Sequence, residues 1–163
     1  MNGRSRSLGI AVLACGVLMA VLPALPWFGA DLPTGRADLT GYGAGGVAWI
    51  LPVIGGVLAT TGILAAWWTP QAGTRPARLL GGAVVLMAAL GVAWSAIIAF
   101  VPRIDVVAAR VGMPDAPLAG DWAVSALAPA WIFMAAAALA GMAGILLLTP
   151  RPEDLARQDA AED

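Results

Sequence analysis

The chain has 163 residues, of which 60% are hydrophobic and only 12% charged, with a mean hydropathy of +0.84; a soluble domain carries about twice that charge. A water-soluble fold of this size cannot bury so much apolar side chain, so the composition points to a bilayer. With a net charge of −1, no His and one Cys, the chain has no electrostatic footprint for nucleic acid. It also has no Ser-His-Asp or Cys-His catalytic arrangement, no His- or multi-Cys-based metal site and no internal disulfide.

Residues 1–7 carry Arg4 and Arg6 and form a short basic N-terminus. The first charge-free apolar run covers about residues 8–28 and closes on Pro23, Pro26 and Trp27. It is longer than a signal-peptide h-region and no A-x-A site follows, so it reads as a retained span. Cys15 lies inside it as a small inert side chain.

A polar segment follows, with Asp31, Arg36 and Asp38 among turn-forming Gly and Pro. It ends in Gly41-Tyr42-Gly43-Ala44-Gly45-Gly46, which fits the G-x-G-x-x-G spacing of a dinucleotide loop. That fingerprint needs a preceding strand, a following soluble helix and an acid about 20 residues on. No acid occurs between Asp38 and Asp105. Thr40-Gly41-Tyr42-Gly43 also echoes a potassium filter, but no apolar pore helix precedes it. The stretch therefore reads as a flexible hinge delivering the chain into the second span.

Three more runs cover about residues 46–68, 79–101 and 126–148. Each is long enough, at roughly 20 residues, to cross the hydrocarbon core as a helix. Arg75 and Arg78 lie between the second and third spans. The 3–4 loop could form a short interfacial helix with Ile104, Val107 and Val111 on one face. Residues 151–163 form an acidic tail, read as a solvated terminus.

The expected fold is an all-α integral membrane protein: a four-transmembrane-helix bundle over residues 8–150, with two short extracytoplasmic loops. Arg4, Arg6, Arg75, Arg78, Arg151 and Arg157 fall on one side, against Arg36, Arg103 and Arg110 on the other. The arginine bias places both termini in the cytoplasm, and the all-Arg, Ala-rich composition suggests a GC-rich bacterial genome and so a bacterial cytoplasmic membrane. Trp27, Tyr42, Trp49, Trp67, Trp68 and Trp122 fall near the span boundaries and are read as interface anchors. Gly16, Gly55, Gly56, Gly62, Gly141 and Gly144 lie in small-residue patterns that let helix backbones approach, and intramolecular packing is favoured over a dimer interface.

No ionisable side chain lies within a span, so a coupled pump with its own proton relay is not expected. Thr60, Thr61, Ser95 and Ser125 are the hydroxyls in or near the spans, and such groups can bond back to their own helix. The loop aspartates Asp31, Asp38, Asp105, Asp115 and Asp121 show no convergent spacing, so no catalytic residue and no cofactor is expected.

Leu25-Pro26-Trp27 ends the first span, Leu39-Thr40-Gly41 comes just before the second, a short hairpin with Arg75 and Arg78 leads into the third, and Val107 to Arg110 precede the fourth. In these features the organisation resembles the tryptophan-biosynthesis-associated transmembrane family of actinobacteria. The resemblance covers about residues 8–150, and the chain departs from it in lacking a basic tail. The resemblance implies a four-span membrane fold and no established reaction, so no site residues are carried over. Claudin-like proteins share the four-span plan, but the Trp and paired Cys of their outer loop are missing. The expected function is a non-catalytic membrane protein that stabilises or localises a membrane or cytoplasmic partner. The alternative is an oligomeric passive carrier or channel subunit for a small apolar or aromatic solute. A lipid-modifying enzyme using loop aspartates comes third.

Overall fold

The computed structural model describes residues 3–32, 35–44, 48–68, 75–100 and 123–149. Four helices dominate: α1 (Gly3–Val21), α2 (Ile50–Trp68), α3 (Arg75–Phe100) and α4 (Ala128–Leu148). All four are long and apolar enough to cross a membrane. Each helix packs on its neighbours in chain order, and α4 closes the ring on α1.

The α1–α2 pair is close-packed because its facing positions are small. A methyl group added to Gly9 would collide with the backbone at Ala65 and Ala66. The same holds for Gly16 against Ala59, Gly55 against Ala20, and Gly62 against Leu13. Facing positions recur at steps of four and three residues on both helices, so one antiparallel register brings the two backbones together. The α3–α4 pair is also antiparallel but built differently. Here a methyl on Gly81 would meet the Leu148 side chain and the Gly144 carbonyl, and one on Gly144 would meet the Val84 and Val85 side chains, so side chains fill most of the contact.

The apolar runs are helical, but the first ends earlier than expected. α1 stops at Val21, and a 3₁₀ turn over Leu22–Ala24 follows, with Pro23 and Pro26 each removing a backbone donor. The chain then forms strand β1 (Pro26–Leu32), paired antiparallel with β2 (Gly35–Thr40). A third strand, β3 (Ala123–Ala126), pairs with the other edge of β1, giving the order β2-β1-β3. The 1–2 segment thus contains a hairpin, and of the Gly41–Gly46 stretch read as a flexible hinge Gly41–Ala44 form a 3₁₀ turn while Gly45 and Gly46 lie outside the described residues. The third helix starts earlier than expected, at Arg75, with Pro76 in the first turn where no donor is needed. The expected helix over Ile104, Val107 and Val111, Trp122 and the acidic tail lie outside the described residues.

One layer of the core sets the levels. A methyl on Gly91 would meet Met19, Ala137 and Ile54 at 2.8, 3.5 and 3.6 Å. Beyond this layer α3 runs nine residues to Phe100 and α4 nine residues back to Ala128, roughly 13 Å each at 1.5 Å per residue. α1 ends two residues past the layer, and α2 begins four residues before it. The sheet stands where further turns of α1 and α2 would otherwise be. Trp27 and Phe28 of β1 join Met19, Leu22, Leu51 and Phe133 in a single core.

Candidate functional site

The helix interior comes first, because a transport path or a membrane active site would need polar groups there. Among the described residues the buried polar side chains are Thr61 and Ser95. Thr61 Oγ1 donates to the Val57 carbonyl at 2.7 Å, and Ser95 Oγ to the Val92 carbonyl at 3.0 Å. Thr60, on the exposed face of α2, donates to Gly56 at 2.9 Å. All three hydroxyl protons are used by the helix that carries them, as expected for Ser and Thr within apolar helices. Among the described residues, no side-chain polar atom is buried without a partner, and no cluster of metal-ligating residues forms.

The structured site is the sheet-capped end. Trp27 is fully enclosed. Its indole Nε1 donates to the Leu22 carbonyl at 2.8 Å, which satisfies the ring's one donor inside the core. The β1–β2 register shifts between Pro26 and Phe28, so Trp27 sits at a bulge, a device that re-aims a side chain. The Trp27 carbonyl accepts the Leu127 amide at 2.7 Å, which ties the start of α4 to β1. Across the hairpin, the Gly41 amide donates to the Leu25 carbonyl at 3.3 Å. A Cβ at Gly41 would meet Pro23 at 3.0 Å and the Trp27 ring at 3.1 Å, so any larger residue must push these neighbours back by a few tenths of an ångström. Ser125 of β3 donates to the Gly29 carbonyl at 3.4 Å.

The sequence-selected residues divide accordingly. Trp27 is an interior residue rather than an interface anchor, because the bulge turns it onto α4. Tyr42 and Trp49 are exposed at the sheet-capped end, and Trp67 and Trp68 at the opposite end. Arg6, Arg75 and Arg78 are exposed at that opposite end as well. Arg4 is helical, and Arg151 lies outside the described residues. Gly16, Gly55 and Gly62 form the α1–α2 contact, and Gly144 receives Val84 and Val85. Gly141 meets only the Ala88 methyl at 3.3 Å. Gly56 has nothing within 4 Å of an added methyl, so among the described residues it takes no part in packing α2 on its neighbours. Of the loop aspartates, Asp38 is exposed on β2 and Asp31 pairs through its backbone with Arg36 and Ala123.

On the outside of the bundle, a shallow apolar groove of about 550 Å³ runs along α1. It is lined by Ile10, Leu13, Ala14, Val17, Leu18 and Val21, and offers no polar side chain to a ligand.

What the sequence reading missed is the role of Trp27 and the sheet around it. Gly29 and Asp31 are poor strand formers, and the partner strand β3 lies more than ninety residues away, as the Ser125–Gly29 bond shows. The available signal was the pair of prolines, Pro23 and Pro26, that bracket the end of α1. Comparison with protein-family models, curated proteins and solved structures returns no match to this chain.

Proposed function

We propose that the chain is a non-catalytic four-span protein of the bacterial cytoplasmic membrane that stabilises or localises a partner protein. The observation that carries this reading is the bundle interior. It is filled by apolar packing, and its buried hydroxyls are bonded to their own helices. The outward helix faces, by contrast, are apolar and open, the α1 groove among them. The carrier alternative rests on the Gly/Thr stripe of α2, the deep Trp94 and Trp131 and the family resemblance, and the bonding of Thr60 and Thr61 to their own helix weakens the first of these.

The membrane setting is supported by spacing. Trp49 and Trp67 are 18 positions apart along the α2 segment, roughly 27 Å at helical rise, close to a hydrocarbon core of about 30 Å. The arginine distribution supports cytoplasmic termini. Membership of the tryptophan-biosynthesis-associated family belongs to the same proposal. Its Leu25-Pro26-Trp27 and Leu39-Thr40-Gly41 stretches meet in the fold through the Pro26–Thr40 pairing and the Gly41–Leu25 bond.

Affinity purification of the tagged chain from native membranes, in several mild detergents, tests the partner role. A second membrane or cytoplasmic protein at a fixed stoichiometry is expected. Recovery of the lone chain in every detergent overturns the reading. Uptake of a labelled aromatic solute into proteoliposomes, above that of protein-free vesicles, favours the carrier instead.

A further inference from the structure

The end of the bundle opposite the sheet carries a charged and aromatic surface. Thirteen residues along each helix from the Met19–Ile54–Gly91 layer lie Arg6 on α1, Trp67 on α2 and Arg78 on α3. At 1.5 Å per residue, all three sit at one level, roughly 20 Å from that layer. Arg75 follows Trp68 after only six intervening residues. An arc therefore runs from α1 across the C-terminal end of α2 to the start of α3. The side chains along it point outward: Trp67 and Trp68 are 70% and 63% exposed, and Arg6, Arg75 and Arg78 are exposed too. None of the four helices contains an acidic residue.

We infer that this arc is a binding surface for anionic phospholipid headgroups. The proposal rests on the membrane reading above and adds a ligand class to it. Guanidinium groups bind phosphate oxygens through paired N–H donors. The N-terminal ends of α1 and α3 add positive dipole charge at the same level. Indole rings settle at headgroup depth beside them. A basic residue near an anionic leaflet contributes about fivefold in partitioning, and three of them act together here. The sequence after α4 carries five acids, which lie outside the described residues, and a test on the full chain includes them.

The full chain is reconstituted in nanodiscs of phosphatidylcholine alone and in nanodiscs containing an equal part of phosphatidylglycerol. Lipid retained on the protein after transfer to detergent is then measured by native mass spectrometry. Phosphatidylglycerol should be enriched over phosphatidylcholine by at least about fivefold. The R6Q/R75Q/R78Q variant should lose that enrichment while still entering neutral nanodiscs and keeping its melting temperature there. W67A/W68A should weaken retention without abolishing it. Equal retention of the two lipids by the unmodified chain, as expected if the tail neutralises the arginines, overturns the inference. So does undiminished enrichment in the arginine variant, or displacement of the lipid by millimolar inorganic phosphate. Entry into neutral nanodiscs reports on the membrane reading separately, so the two can fail independently.

Discussion

The indole of Trp27 meets the ring of Phe133 edge-on, with centroids 5.2 Å apart and planes inclined at 62°. This contact joins β1 to the second turn of α4, residues more than a hundred positions apart in the chain. It is an edge-to-face geometry that adds to the area both rings bury. Because the Trp27 carbonyl also holds the Leu127 amide, one residue fixes both the start of α4 and its distance from α1.

Trp27→Ala should therefore be among the most damaging single changes, costing about 3–5 kcal/mol through the cavity it leaves. Trp27→Phe should cost only about 1 kcal/mol. It keeps a six-membered ring against Phe133 and loses the pyrrole part of the indole, a smaller cavity than Ala leaves, and the Leu22 carbonyl that loses the indole donor still accepts the Leu25 amide at 3.0 Å. Thermal unfolding in detergent, followed by the near-ultraviolet signal, checks the order. Equal losses from the two variants would show that the ring contact is not what matters.

The glycines of α2 should separate cleanly. Gly62→Ala pushes a methyl into the α1 backbone at Leu13 and should destabilise by about 1–3 kcal/mol, with helix separation. Gly56→Ala meets nothing within 4 Å and should stabilise by up to about 1 kcal/mol through helix propensity. Melting temperatures of the two variants, measured in the same detergent, provide the comparison.

Thr61→Val and Ser95→Ala should each change stability by no more than about 1 kcal/mol, since only a local back-bond is lost. Both variants should recover the proposed partner in the same yield as the unmodified chain. A Thr61→Val variant that folds but abolishes solute movement in proteoliposomes would instead argue for the carrier alternative.

Orientation is checked in a Cys15→Ser background. Thr40→Cys, on the exposed edge strand, should react with a membrane-impermeant maleimide in intact cells. Thr149→Cys, exposed at the far end of α4, should react only after permeabilisation. The reverse pattern would place both termini outside.

The helices were legible from residues alone because helix formation in apolar runs is local: every backbone bond closes within the segment, and about twenty apolar side chains suffice to mark it. The small-residue patterns of α1 and α2 were visible for the same reason, Gly16, Gly55 and Gly62 among them. Their register was not visible, and neither was the outward face of Gly56, because which stripe of a helix turns inward depends on its neighbours. The sheet was hidden more deeply. β1 pairs locally with β2 but is held on its other side by β3 and Phe133, both about a hundred residues away, and in Pro26–Leu32 the strand-favouring Trp27 and Phe28 stand among Pro, Gly, Ala and Asp that do not announce a strand. Trp27 looked like an interface anchor because a tryptophan beside a span boundary usually is one. It lies in the core because α1 and α2 stop short of α3 and α4, which leaves a space that the indole, with its donor satisfied by Leu22, fills without leaving an unpaired polar group.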